Sequence, residues 1–419
     1  MLDTVRRALP VVLALAVAIS AAGCTGAAAP SPTSAPAAPQ TAAPATPKPT
    51  TAPAQATAAP AKSGGVIKIG VIGPLSGTYA YTGQSIANGV KLAAKEANAE
   101  GGFPGGAQVE LLVGDDRGTP AEAVALAQKY VNEDKVAAIV GPFNSATTAA
   151  VKDILLKAKV PHASTGAAAD DLTAKDFDYY FRPHMYNALQ STQFAKYIVQ
   201  TLEKKRLGII FENNDWGKGL DSSMSRLFTE MGAQMVAREG FNTGTTDFTA
   251  ALTKIKGANP DAIIAIALIT DAAVITKQAA ELGITGDNII GLGSFDQDKL
   301  YELVGPLTNG IKFMMWYAPE HPEIKAAKVF ADAYQKEYNS IPDSFAAQGY
   351  TAAKSILLGI KNAGSTDGTA IRDAILKLDF ESPIGRITFG PDHNARASVF
   401  MAQWKDGKKV LLEKQPKIE

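Results

Sequence analysis

The feature that most restricts the fold is a repeated alternation, from Gly64 onward, of short apolar runs with amphipathic stretches. Six of the runs are rich in valine or isoleucine and have the length of buried strands. Helical patterns separate them, and this order favours parallel sheets covered by helices on both faces. The predicted strands are residues 66–71, 109–113, 136–140, 207–211, 262–268 and 288–292.

The sequence contains about seven strand–helix units, which is more than a single sheet of this kind usually contains. The predicted fold class is therefore α/β with two doubly wound parallel-sheet lobes. Ligands bind such sheets beyond the carboxyl ends of the strands, in the loops that follow them. The predicted helices are residues 84–98, 121–132, 145–158, 189–204, 219–231, 248–256, 271–282, 322–339, 344–363 and 371–377. The candidate loops are residues 73–83, 141–148, 163–169, 212–219, 270–272 and 293–296.

The N-terminus has the pattern of an export signal. Arg6 and Arg7 precede an uncharged run at residues 8–23, which ends in small residues. A positive segment, an apolar segment and a small-residue end are typical of a secretory signal, which we predict at residues 1–23. The run is about 16 residues long, shorter than the ~20 that a spanning helix needs, and Pro10 interrupts it.

Cys24, the single cysteine of the chain, directly follows this signal. The small residues before it resemble a bacterial lipobox, whose cysteine is lipidated and becomes the mature N-terminus. Ala21 departs from that pattern, which usually has leucine there. The alternative is an ordinary secreted protein with a chance cysteine. Because no second cysteine exists, the fold has no disulfide although it leaves the cytoplasm.

Residues 24–63 are predicted to be a tether. Positions 25–63 contain 15 alanines, 9 prolines and 7 threonines, with no acidic and no aromatic residue. Such a chain is extended and cannot build a core, so it spaces a folded domain from a membrane. The expected location is extracytoplasmic, as a cell-membrane lipoprotein in the periplasm or on the outer face of the cytoplasmic membrane.

Charge and motif content exclude several classes of function. After residue 63 the chain carries 37 basic against 40 acidic residues, which argues against a nucleic-acid or anionic-membrane surface. No nucleophile elbow, phosphate-binding loop or dinucleotide fingerprint is complete, so we expect no enzyme and no cofactor. The histidines show no i, i+4 pair, and no thiol is available, so we expect packing or surface roles and no metal. They are His162, His184, His321 and His393.

Several segments together resemble one family, the solute-binding proteins of ABC transporters for leucine, isoleucine and valine, with their amino-acid and amide relatives. The similarity covers roughly residues 66–405. The segments are residues 68–77, 98–106, 115–116, 140–147, 160–164, 172–173 and 210–219.

The resemblance implies the type I periplasmic-binding-protein fold, in which a three-strand hinge joins the two lobes. Lobe 1 would comprise residues 64–186 with 318–384, and lobe 2 residues 187–317 with 385–419. The chain would then cross between the lobes near residues 187, 317 and 385.

By the same resemblance, a ligand carboxylate would bind the hydroxyl and amide of Ser145 and the backbone of Gly166 and Ala168. Ser145 also begins a predicted helix, whose unpaired N–H groups and partial positive charge suit a carboxylate. Trp216 stands where relatives place an aromatic wall.

The sequence departs from the family where relatives hold an α-amino group. Ala168 replaces a threonine and Gly293 replaces a glutamate. Asp296 or Asp271 replaces the missing acid, or the ligand lacks an ammonium group.

A second departure concerns a pocket tyrosine of the family. Thr82 occupies its position, and Tyr79 and Tyr81 are close enough in sequence to take its role.

The sequence therefore predicts a monomeric, membrane-tethered solute-binding protein that delivers a small ligand to ABC permease subunits. The expected ligand is an amino acid of the branched-chain or hydrophobic class, and the alternative is an amine-free small carboxylate or amide. The membrane is reached through the lipid anchor only, and no nucleic acid is bound. A ligand-sensing receptor module of the same fold is the first rival, and an extracytoplasmic enzyme is the second.

Overall fold

A computed structural model describes residues 64–396, 399–413 and 415 of the chain. The predicted signal peptide, the lipidation at Cys24 and the tether lie outside the described residues and stay predictions. The strands are β1 (Val66–Gly73), β2 (Gln108–Asp115), β3 (Ala138–Val140), β4 (His162–Ala163), β5 (Tyr180–Phe181), β6 (Arg206–Glu212), β7 (Gln234–Phe241), β8 (Ala262–Ala267), β9 (Ile289–Gly293), β10 (Lys312–Met315), β11 (Asp379–Ser382), β12 (Gly385–Thr388), β13 (Phe400–Lys405) and β14 (Lys408–Leu411).

Helices occupy most of the chain between these strands. They are α1 (Ala80–Glu100), α2 (Pro120–Lys129), α3 (Ser145–Ala158), α4 (Asn187–Lys196), α5 (Asp215–Glu230), α6 (Thr249–Gly257), α7 (Ile269–Glu281), α8 (Asp298–Val304), α9 (Lys325–Tyr338), α10 (Ser344–Ala363) and α11 (Gly368–Ile375). Wider π-helical turns, Tyr130–Asp134 and Tyr197–Thr201, extend α2 and α4. Short 3₁₀ turns lie at Pro104–Gly106, Asp170–Thr173, Gly286–Asn288, Ser294–Asp296 and Gly305–Thr308.

Five strands form the first sheet in the order β2-β1-β3-β4-β5, and every neighbouring pair is parallel. Successive side chains of a strand point to opposite faces. Ile69 and Val71 of β1 join the core cluster that includes residues of α1 and α10, whereas Ile72 joins the cluster formed with α2 and α3. Helices thus cover both faces of this sheet, as the apolar runs predict.

Seven strands form the second sheet in the order β14-β13-β10-β9-β8-β6-β7. The five strands from β10 to β7 pair in parallel, whereas β13 and β14 are antiparallel to their neighbours. All six residues of β8 are buried, which agrees with a strand covered on both faces. The predicted α/β class with parallel sheets is confirmed.

Each of the six predicted strands is present, but the sequence analysis missed most of the others. The edge strand β7 has polar or charged residues at three of its eight positions, and β10 is four residues long with two methionines. Neither has the continuous valine and isoleucine content that marks a central strand. The two-residue strands β4 and β5 are too short to give a pattern.

The memberships of the two sheets support a division into two lobes. Helix α10 packs on α1 and on strands of the first sheet, although it follows β10 of the second sheet in the chain. Strand β12 pairs with β11 in a separate two-stranded ribbon, because the chain turns back tightly after Ser382. The chain returns to the second sheet at β13, which pairs with β10. The lobe boundaries and the three-strand hinge stay predictions.

Candidate ligand-binding site

A cavity of about 770 Å³, partly open to solvent, lies where loops at the carboxyl ends of strands from both sheets meet. This is the place at which parallel α/β sheets bind ligands. Both sheets and the start of α10 contribute to its wall. The lining residues are Tyr79, Gly118, Phe143, Asn144, Ser145, Ala146, Gly166, Ala168, His184, Met185, Gln190, Asn214, Asp215, Trp216, Leu268, Trp316, Phe345 and Gln348.

Ser145 stands at the first position of α3 and is buried. Its Oγ accepts a hydrogen bond from the backbone N–H of Ala169 at 3.2 Å, so the hydroxyl hydrogen can be donated to a ligand. The first helical hydrogen bond runs from Thr148 N–H to the carbonyl of Asn144. The N–H groups of the preceding turn therefore have no partner within the helix. Together these donors form a site suited to an anion.

Gly166 and Ala168 lie opposite Ser145 in the loop after β4. A side chain at Gly166 would overlap the ring of Phe143, so the glycine lets that ring pack against the loop. Ala168 is buried, and its carbonyl accepts a hydrogen bond from the N–H of Asn187 at 2.8 Å. This bond fixes the loop against the start of α4.

Aromatic side chains form most of the apolar wall. Phe143 and Phe345 meet edge to face with ring centroids 5.6 Å apart, and Trp316 meets Phe345 in the same way at 5.8 Å. Tyr79 and Trp216 complete the set. Rings in this geometry give a large and rigid apolar surface.

Trp216 lies in the first turn of α5, where the side chain of Asn214 caps the helix by accepting from Gly217 N–H at 2.8 Å. Gly293 has a φ of +102°, and a Cβ there would stand 2.9 Å from Cη2 of Trp216. The indole therefore occupies the space into which a side chain at residue 293 would project.

Tyr79 connects the two sides of the cavity mouth. Its hydroxyl donates to Oε1 of Glu212, at the end of β6, at 2.7 Å, and lies 3.0 Å from the hydroxyl of Thr243. Thr243 also donates to the same carboxylate oxygen. Burial, together with the charge of Glu212, raises the pKa of the Tyr79 hydroxyl, which therefore stays protonated and serves as a donor. Oε2 of Glu212 has no hydrogen-bond partner within the described residues.

His184 lines the cavity as a neutral side chain. Burial lowers its pKa to about 3. Nδ1 lies 2.9 Å from the carbonyl of Met185 and therefore carries the hydrogen, while Nε2 accepts from the hydroxyl of Ser164 at 2.7 Å. Tyr180 donates to the same Ser164 oxygen at 3.1 Å. The ring thus supports the wall without adding charge to it.

The two aspartates considered as replacement acids do not line this cavity. Asp296 is fully buried, accepts from the hydroxyl of Ser344 and faces a different cavity beside β14. Burial is the main cause that raises its pKa to about 7. Asp271 accepts from Gly244 N–H at 3.2 Å, and burial together with the charge of Glu212 raises its pKa to about 6.

Two of the three residues considered in place of the family's pocket tyrosine, Tyr81 and Thr82, do not line this cavity either. Helix α1 begins at Ala80, so Tyr81 and Thr82 lie within its first turn and point in directions different from Tyr79. Tyr81 is 41% exposed, whereas Thr82 is fully buried. Of the three, Tyr79 alone lines the cavity.

The cavity therefore brings together Ser145, Gly166, Ala168, Trp216 and Tyr79 from the predicted set. Most of the other residues that line the cavity were not predicted from the sequence. Phe143 and Asn144 lie in a loop that was identified as a candidate, but Trp316 and Phe345 come from distant parts of the chain. No local signal marks those two aromatic residues as cavity residues rather than core residues.

The described residues contain no group of three or more His, Cys, Asp or Glu side chains that could hold a metal ion. Among the described helices, none is both long enough and apolar enough to cross a membrane.

Comparison with known proteins identifies the family. The profile of the periplasmic binding protein family matches residues 66–409. A relative, Leu/Ile/Val-binding protein homolog 7 of Brucella abortus, is 28% identical over 381 residues, which cover 85% of this chain and 93% of the relative.

Solved structures agree with that match. The branched-chain amino acid transporter substrate-binding protein LivJ of Streptococcus pneumoniae, in complex with isoleucine, is 32% identical with a TM-score of 0.76, covering 84% of this chain and 100% of LivJ. An ABC-transporter solute-binding protein of Rhodopseudomonas palustris, in complex with 3,4-dihydroxybenzoic acid, is 26% identical with a TM-score of 0.74, covering 83% and 95%. The chain belongs to the periplasmic binding protein family.

Proposed function

We propose that this chain is the extracytoplasmic solute-binding component of an ABC importer, anchored through Cys24, that delivers a small ligand to the permease. One observation carries the proposal. A single cavity is lined by loops from both sheets and contains the N-terminus of α3. A ligand held there contacts both halves of the molecule, so its binding favours the state in which they are closed together.

The ligand in this proposal is a small hydrophobic carboxylate. Its carboxylate binds the hydroxyl of Ser145 and the N–H groups of the first turn of α3, and its apolar body packs on the aromatic wall. The Leu/Ile/Val-binding relatives and the isoleucine complex support hydrophobic amino acids. The complex with 3,4-dihydroxybenzoic acid supports acids without an amine. Both classes combine a carboxylate with an apolar body.

The proposed activity is binding and release without chemical change. The experiment is reconstitution of the mature protein with the permease and ATPase of the proposed importer, in proteoliposomes. We expect ATP hydrolysis to rise when the binding protein and a ligand from a panel of L-leucine, L-phenylalanine, 4-methylpentanoate and 3-phenylpropanoate are both present. The ligand should be recovered unchanged.

Two results would contradict this proposal. If a panel member binds but never stimulates the ATPase, the sensing-receptor function is the better one. If a bound member is recovered as a different compound, the protein is an enzyme.

A further inference from the structure

Resting on the proposed function, we propose that the site selects carboxylates whose second polar group is uncharged, such as a hydroxyl or an amide, and discriminates against α-amino acids. The inference follows from the charges of the cavity wall, from the contacts of the neighbouring acids, and from the polar atoms that the wall leaves without partners.

The cavity wall offers no buried acid for an ammonium group. Of the described residues that line it, Asp215 carries the one carboxylate, and this side chain is exposed at the start of α5. Taking an ammonium group out of water is strongly unfavourable unless a carboxylate is paired with it. A hydroxyl or amide needs only hydrogen-bond partners, which the wall does contain.

The acids nearest to the wall lie outside the cavity lining and are held by hydrogen bonds, although Oε2 of Glu212 has no partner within the described residues. Glu212 accepts from Tyr79 and Thr243, and the ring of Tyr79 lines the cavity. Asp271 accepts from the backbone of Gly244. At residue 293 a Cβ would overlap the carbonyl oxygen of Ala267 and stand 2.9 Å from the indole of Trp216, so the backbone as it stands leaves no room for an acidic side chain.

Three neutral polar atoms in the wall lack hydrogen-bond partners within the described residues. They are Oε1 of Gln190, Oδ1 of Asn144 and Nε1 of Trp316, and all three atoms are buried. An unsatisfied buried polar atom is destabilising, so a ligand group that pairs with one recovers that free energy. An ammonium group could use the two acceptors but not the donor, the N–H of Trp316, whereas a hydroxyl or primary amide can both donate and accept.

The test compares ligands that differ only in the amine, by calorimetry on the mature protein. The pairs are L-phenylalanine with L-3-phenyllactate and L-leucine with L-2-hydroxy-4-methylpentanoate, in which a hydroxyl replaces the amine. We expect the amine-free member of each pair to bind at least 10-fold more tightly. Tighter binding of the amino acid in both pairs would overturn the inference and leave the proposed function intact. If no member of either pair binds, both the proposed function and the inference fail.

A gain-of-function variant gives a second test with the same ligand pairs. Gln190→Glu places an acid on the cavity wall with almost no change in shape, and we expect it to shift the ratio of affinities toward the amino acid by at least 10-fold. Gln200→Glu, on the exposed surface, is the matched control. An unchanged ratio in Gln190→Glu would overturn the inference, and thermal unfolding without ligand checks that both variants fold.

Glu212→Gln tests the alternative that Glu212 binds the ammonium group of an amino-acid ligand. We expect it to leave the preference for the amine-free members in place. If the variant instead removes a preference for amino acids, then Glu212 is the ammonium acceptor and the inference is wrong.

Discussion

At the scale of single residues, carboxylate recognition depends on Ser145. Ser145→Ala removes a hydroxyl donor to a charged group, an interaction worth about 1.5–3 kcal/mol, so affinity should fall roughly 10- to 100-fold. Calorimetry with 3-phenylpropanoate and with the matching amide, 3-phenylpropanamide, measures the effect, which should be larger for the acid. Ser222→Ala, on the exposed face of α5, is the control. Equal losses for acid and amide would mean that the carboxylate binds elsewhere.

A second prediction at this scale concerns the hydroxyl of Tyr79. Tyr79→Phe keeps the ring in the cavity wall but removes the hydroxyl that donates to Glu212 at 2.7 Å. Because this bond joins the two sides of the cavity mouth, its loss should weaken the closed state by about 1.5 kcal/mol and speed ligand dissociation roughly 10-fold. Stopped-flow fluorescence measures the rate. Tyr81→Phe, which lies outside the cavity, should leave dissociation unchanged, and an unchanged rate in Tyr79→Phe would refute the role of the bond.

Asp296 should make stability depend on pH. Its pKa is about 7 in the folded chain, above its ordinary value near 4. Between these values the unfolded chain ionises while the folded chain keeps the proton, so the contribution of Asp296 to the free energy of unfolding falls as pH rises from about 4 to 7. Below pH 4 both states are protonated and the penalty disappears.

The measurement is denaturant unfolding of wild type and Asp296→Asn at pH 4.5 and 7.5. The variant does not titrate there, so its stability relative to wild type should increase at the higher pH. Asp153→Asn, on the exposed face of α3, should show no such trend. A difference between wild type and Asp296→Asn that is the same at both pH values would show that Asp296 is ionised throughout.

At the scale of secondary-structure elements, the close crossing of α1 and α10 positions part of the cavity wall. A Cβ on Gly349 would overlap the backbone of Ile86, and a Cβ on Gly89 would overlap that of Ala346. The two glycines therefore let the helix backbones touch. Phe345, one helical turn before Gly349, reaches the cavity from this crossing.

Gly349→Ala should therefore force the two helices apart. Overpacking of this kind costs about 1–3 kcal/mol, and displacement of Phe345 should also weaken ligand binding. Denaturant unfolding and calorimetry measure the two effects. Gly257→Ala is the control, because its Cβ would meet open space at the end of α6 and should leave both quantities nearly unchanged. A fully stable Gly349→Ala would show that the helices tolerate a wider spacing.

At the scale of the whole molecule, the prediction concerns attachment to the membrane. If Cys24 carries the lipid, Cys24→Ser should move the protein from the membrane fraction to the soluble fraction, because the predicted tether contributes no apolar anchor. Immunoblotting of fractionated cells measures the distribution, and mass spectrometry of wild type tests the modification. Unmodified Cys24 in wild type would contradict the lipoprotein prediction. Ligand affinity should be the same in both forms.

The sequence by itself determined the alternation of strands and helices, the parallel sheets and the loops that carry the site. These features follow from local hydrophobic periodicity and from the rule that ligands bind beyond the carboxyl ends of parallel strands. The position of Ser145 at a helix start and the aromatic residue at 216 lie in short segments that keep their local structure. Five of the contact residues that the family resemblance implies lie in these loops and line the cavity.

Only the tertiary structure decided which distant groups meet. Trp316 and Phe345 reach the cavity because the chain returns to it far along the sequence, and no local pattern distinguishes such residues from core. Asp296 lies three residues from Gly293, yet a 3₁₀ turn directs it to Ser344 and away from the ligand. Periodicity reports how deeply a residue is buried, whereas the partner of a buried group depends on long-range packing that the local sequence does not encode.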